Sequence, residues 1–153
     1  MEAKINMPAP EFSLEDSDGS IIKLSDFKGK KVIVYFFPKT DTPGCTKEAC
    51  SFRDSYDVYD KNNIIVIGIS YDSPEMLKAF RQKYHLPFIL LSDNEKKVAR
   101  DYGAYKSLLN ALFPARITAL INEQGILTHL LDNVNVTTHA QDILELLSVP
   151  QKR

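Results

Sequence analysis

Only two of the 153 residues are cysteine, Cys45 and Cys50, and they lie five positions apart. A secreted disulfide scaffold carries more cysteines, spread along its length, so this pair does not suggest a structural staple. The C-x-x-C spacing of simple dithiol exchangers is also missing. No apolar stretch approaches the roughly 20 residues that a membrane-spanning helix requires. Residues 1–10 contain no apolar signal core, which makes the cytoplasm the expected location. Charge of one sign is lacking too: a formal net charge of −1 offers no face for nucleic acid or for an anionic membrane. His85, His129 and His139 show no ligand spacing, and two cysteines are too few for a structural zinc site. Walker A, the dinucleotide glycine fingerprint and a nucleophile-elbow serine are absent as well. Neither a metal nor an organic cofactor is therefore expected.

What is present is a globular composition, 44% apolar and 25% charged. It is enough for one domain spanning 1–153 around a real core. Phe12–Leu14 and Ile21–Leu24 flank the turn-rich Asp16–Gly19 and read as a hairpin. Val32–Phe37 is a continuous β-branched and aromatic run, predicting a central strand buried on both faces. Helical spacing of Ala49, Phe52, Tyr56 and Tyr59 predicts a helix over 43–60. Further strands are expected at 64–69, 88–91, 117–121 and 126–131, and helices at 73–84 and 94–102. A last helix should run to about Leu147, capped by Thr137 or Thr138. The order implies an α/β protein with a thioredoxin-like fold: a central mixed sheet flanked by helices on both faces, with an N-terminal β-hairpin.

The chemistry concentrates in Phe37–Cys50, at the carboxyl end of the buried strand, where open α/β sheets place ligands. Thr42 suits an N-cap and Pro43 the first helical position. Cys45 would then lie in the first turn, amid free N–H groups and the positive end of the helix dipole. That setting should lower its thiol pKa below the free value of about 8.5. Peroxide cleavage needs a thiolate, and it needs donors for the departing oxygen. The Thr42 hydroxyl and the amides around Gly44 and Cys45 could supply them. Gly44 also leaves room for a small substrate close to the backbone.

Five positions on a helix place Cα atoms about 8.6 Å apart and about 140° around the axis. A disulfide wants about 4.4–6.8 Å. Cys45 faces the apolar stripe and Cys50 the polar flank of Asp54 and Asp57, so pairing them requires at least one turn to unwind. On that reading Cys45 reacts in the wound state and Cys50 reaches its sulfenic acid in the unwound one. From position alone, Cys45 serves equally well as a small buried hydrophobe. His85 and His139, near expected helix ends, read as surface residues, and the tyrosines at 56, 59, 84 and 102 as packing.

Pro38, Thr42 and Cys45 match the Pro-x-x-x-Thr-x-x-Cys motif of the peroxiredoxins. The following Thr46–Asp54, with Cys50, resembles the bacterioferritin-comigratory-protein type, also called PrxQ. Similarity runs from Pro8–Phe12 through Asp26–Lys30, Val66–Ser70 and Leu91–Asp93 to Tyr102–Gly103. The resemblance implies a thiol peroxidase acting in antioxidant defence on hydrogen peroxide or alkyl hydroperoxides. It implies Cys45 as peroxidatic cysteine, Cys50 as resolving cysteine and Thr42 as hydrogen-bond partner of thiolate and peroxide. It further implies Pro38 and Pro43 as shields, Arg116 as the cation that favours thiolate, and Glu48 as support for the site's hydrogen bonds. A thioredoxin-like dithiol would reset the disulfide, in a monomer or a weak dimer. The chain departs from the family pattern at Ala119, which replaces a bulky residue, and over the apolar Lys106–Pro114. That segment could cover the pocket or contact a partner. A general dithiol oxidoreductase and a redox-responsive binding module are the rival readings.

Overall fold

The computed structural model describes residues 2–149. Its centre is β3 (Lys31–Phe36), whose alternate side chains are buried on opposite faces. Ile33 and Tyr35 enter one apolar cluster, and Val32, Val34 and Phe36 enter the other. A strand covered on both sides needs no polar face, which is why the 32–37 run is apolar throughout. On one side β3 pairs in parallel with β4 (Ile64–Ser70), which pairs in parallel with β5 (Ile89–Ser92). β1 (Ser13–Asp16) and β2 (Ile21–Lys23) form the N-terminal hairpin and join antiparallel beside β5. Asp16 Oδ1 accepts the N–H groups of Asp18 and Ser20 and so shapes its turn. On the other side β6 (Thr118–Ile121) pairs antiparallel with β3 and with β7 (Leu127–Leu131). The seven strands run β2-β1-β5-β4-β3-β6-β7.

One face carries α1 (Pro43–Asp54), α2 (Tyr56–Lys61), α3 (Pro74–Tyr84) and α5 (His139–Leu146). The other carries α4 (Lys97–Asp101) and the N-terminal segment around Phe12. The expected mixed sheet with helices on both faces is thus observed. Among the described residues no helix is long and apolar enough to cross a membrane.

Three elements differ from expectation. The helix expected over 43–60 is broken at Ser55, where Asp54 and Ser55, both weak helix formers, interrupt the ladder between α1 and α2. The helix expected over 94–102 shrinks to α4, because Asp93 takes the N–H groups of Val98 and Ala99 and so fixes where it starts. Thr138 occupies the N-cap of α5, but its hydroxyl donates to Asp142 at 2.8 Å instead of accepting a backbone N–H.

Candidate active site

The loop from β3 to α1 is clamped from two directions. Asp72, just past the carboxyl end of β4, accepts Thr40 N–H at 3.0 Å and the Lys39 ammonium at 2.7 Å. Asp41 sits in the left-handed region (φ 59°), a conformation aspartate tolerates better than most side chains. Its carboxylate takes Tyr84 OH at 2.6 Å and Lys83 Nζ at 2.7 Å from α3. Those two bonds hold the Asp41 carboxyl below its ordinary range, Lys83 first. The chain therefore enters α1 at a fixed angle, with Thr42 at the N-cap and Pro43 at the first helical position.

Thr42 takes the cap position through its backbone only: its carbonyl accepts Thr46 N–H at 2.8 Å. Its hydroxyl donates to the Lys39 carbonyl at 2.9 Å, so the expected side-chain cap is replaced by a bond that tightens the loop. Cys45 lies in the first turn, 1% exposed. Arg116, just before β6, reaches across with Nη2 3.4 Å from Cys45 Sγ and Nη1 2.5 Å from Glu48 Oε1. One planar guanidinium thus spans both partners. Gly44 is tight for the same reason, since a Cβ there would sit 3.3 Å from Arg116 Nη2. The Arg116 side chain is 23% exposed and is the part of this group that meets solvent.

Glu48 is fully buried. Burial raises its pKa to about 7 even though Arg116 pulls in the other direction. Burial disfavours charge on Arg116 as well, but Glu48 and the Cys45 sulfur outweigh it and raise its pKa. Behind them lies His139, 2% exposed, with Nε2 2.8 Å from Thr118 Oγ1 and 3.7 Å from Glu48 Oε2. The surface position expected for His139 is therefore wrong: the first turn of α5 faces inward onto α1. Burial pushes this imidazole down to about 4. His85, at the C-terminal end of α3, is exposed as expected. Tyr35, stacked on Phe52 with ring centroids 4.8 Å apart, buries its hydroxyl with no hydrogen-bond partner among the described residues.

Cys45, Arg116, Glu48 and Gly44 are thus brought together. Pro38 is half-buried and Pro43 exposed at the helix start. Cys50 is partly exposed on the same helix as Cys45, and both thiols are free. Leu108, Leu109, Leu112 and Phe113 of the apolar 106–114 segment stand exposed, at 88, 66, 68 and 39%. Sequence reasoning missed His139, Tyr35 and Asp72. Of these only Asp72 carried a signal, as an acidic residue past the end of a strand parallel to the site's own. Among the described residues no group of three or more His, Cys, Asp or Glu could hold a metal ion.

The AhpC/TSA family model matches residues 5–130. A chloroplastic peroxiredoxin Q of Populus jackii is 44% identical over 148 residues, 95% of this chain and 69% of that protein. The peroxiredoxin named bcp of Coxiella burnetii is 42% identical over 148 residues, 94% of this chain and 98% of its own length. Among solved structures, peroxidoxin BcpB from Mycobacterium tuberculosis superimposes with a TM-score of 0.88 at 29% identity, covering 99% of this chain and 100% of that one. The bacterioferritin comigratory protein of Xanthomonas campestris, described for its alkyl peroxide reduction activity, gives 0.87 at 28% identity over 96% and 98%. With a cysteine, an arginine and a buried glutamate assembled on a thioredoxin-like sheet, the chain belongs to the peroxiredoxins of the bacterioferritin-comigratory or Q type, thiol-dependent peroxidases of the AhpC/TSA family.

Proposed function

We propose that Cys45 is the peroxidatic nucleophile and Cys50 its resolving partner. The observation that carries this reading is the Arg116 guanidinium, 3.4 Å from the Cys45 sulfur and anchored on its other side by Glu48. A cation held there faces the reacting sulfur and meets the oxygen on which charge develops. The thiolate attacks the terminal oxygen of the hydroperoxide. An S–O bond forms, the O–O bond breaks, and the departing oxygen takes up a proton from solvent, matching the one Cys45 released on ionising, to leave as water or alcohol. Thr42, whose own proton is given to the Lys39 carbonyl, presents its oxygen as an acceptor for the peroxide proton. That role is narrower than donation to the thiolate.

The Cys50 thiol then attacks the sulfenic sulfur. An S–S bond forms, the S–O bond breaks, and the hydroxyl leaves with the thiol proton as water. Because both cysteines lie on α1, α1 unwinds for this step. A dithiol protein of thioredoxin type restores both thiols by exchange, itself becoming a disulfide. A reducing compartment such as the cytoplasm would maintain that supply. Hydrogen peroxide and alkyl hydroperoxides are the substrate class.

The test is peroxide consumption driven by thioredoxin and its reductase. Cys45→Ser should consume nothing. Cys50→Ser should give one turnover and then stop. Sustained cycling by Cys50→Ser with thioredoxin would establish a one-cysteine mechanism in place of this one.

A further inference from the structure

The last helix is capped from outside itself. With the Thr138 hydroxyl turned to Asp142, the Ala140 N–H in the first turn of α5 is accepted by Ser51 Oγ of α1, at 3.1 Å in a buried setting. The same hydroxyl reaches Gln141 Oε1 at 3.4 Å. Beside it, Tyr59 of α2 donates to the Ala140 carbonyl at 2.7 Å. The first turn of α5 is thus sewn to the stretch of chain that follows Cys50, and Ser51 is the residue next to that cysteine.

The two ends of α1 are tied differently. Asp72 and Asp41 clamp the loop before Cys45, and Arg116 bonds the sulfur itself. Closing the disulfide unwinds the turn of α1 between Cys45 and Cys50. Movement of the Cys50 turn takes Ser51 off Ala140 and leaves that N–H to water.

We propose that Ser51 is a positioning residue for the resolving step: its hydroxyl latches the Cys50 turn to α5 and thereby sets how fast the disulfide closes. This rests on the reading of Cys50 as resolving cysteine. The latch has a consequence opposite in sign to helix propensity. Alanine is the better helix former, so on propensity alone Ser51→Ala stiffens α1 and slows closure about twofold. On the latch, the same change removes one hydrogen bond from the wound state and strands the buried Ala140 N–H there, so closure speeds about fivefold or more.

Reduced protein is mixed with one equivalent of hydrogen peroxide, quenched at intervals, and resolved by mass into thiol, sulfenic acid and disulfide forms. Ser51→Ala should form sulfenic acid at the parent's rate and disulfide about fivefold faster. Closure at the parent's rate, or slower, overturns the latch. Absence of any Cys45–Cys50 disulfide in the parent overturns the resolving role itself, and the latch with it. A second measurement needs no substitution. By amide hydrogen exchange, Ala140 N–H should be protected in the reduced protein and exchange at least about tenfold faster in the disulfide form. Equal protection in both forms overturns the latch, even should Ser51→Ala fail to fold.

Discussion

Replacing Glu48 with glutamine should give the reduced protein a pH dependence of stability that the parent hides. Two buried groups face each other here with opposite linkage. Burial raises Glu48 from the ordinary 4.5 to about 7, against the pull of Arg116. Between those values the native state holds a proton that the unfolded chain releases. Its stabilising contribution is therefore present below pH 4.5 and lost as the pH rises through 7. Burial lowers His139 from 6.5 to about 4, against the pull of Asp142. There the native state lacks a proton that the unfolded chain binds, so stability is present above pH 6.5 and lost as the pH falls through 4. At about 1.4 kcal/mol per pH unit, each amounts to about 3 kcal/mol, and in the parent they nearly cancel. Glu48→Gln deletes only the first. Urea unfolding of both proteins under reductant, followed by circular dichroism at pH 4.5, 6 and 7.5, yields the difference directly. The variant's unfolding free energy minus the parent's should climb by about 3 kcal/mol across that range. A difference that is flat with pH, or that falls, would refute the claim that Glu48 carries a proton near neutrality.

Two other substitutions probe the same centre. Arg116→Lys leaves a cation but no planar fork to span Cys45 and Glu48, so the rate constant for Cys45 oxidation by hydrogen peroxide should drop about tenfold to a hundredfold in stopped-flow. An unchanged rate would remove the guanidinium from the mechanism. Tyr35→Phe deletes a buried hydroxyl that has no hydrogen-bond partner among the described residues. It should raise the unfolding free energy by about 1 kcal/mol in urea titrations. A loss of stability instead would mean that the hydroxyl is satisfied in solution.

The order of elements along the chain and the position of Cys45 were readable because the pattern that encodes them is local. The 32–37 run has the composition of a strand covered on both faces, and Thr42-Pro43 marks a helix start one turn before the cysteine. Arg116 was reached only through family resemblance. It lies 71 positions from Cys45, and no spacing rule predicts that β6 will lie beside β3. His139 was misjudged for the same reason. A histidine near a helix start reads as exposed until the packing of α5 on α1 turns it toward Thr118 and Glu48. The cap of α5 failed on a subtler point. Thr138 has the right side chain in the right place, but a competing acceptor four residues on, Asp142, takes its proton, and Ser51, 89 positions from the Ala140 amide that it accepts, does the capping. Side-chain competition of this kind is settled by tertiary contacts, not by propensity.

The central claim is that the setting of Cys45, not the mere presence of a thiol, makes the peroxidase. The most direct measurement compares two proteins with one sulfur each, Cys50→Ser and Cys45→Ser, by the rate constant for hydrogen peroxide at neutral pH. The lone Cys45 should react at least about a hundredfold faster than the lone Cys50, the effect of a positioned donor at the developing charge. Equal rates would contradict the account.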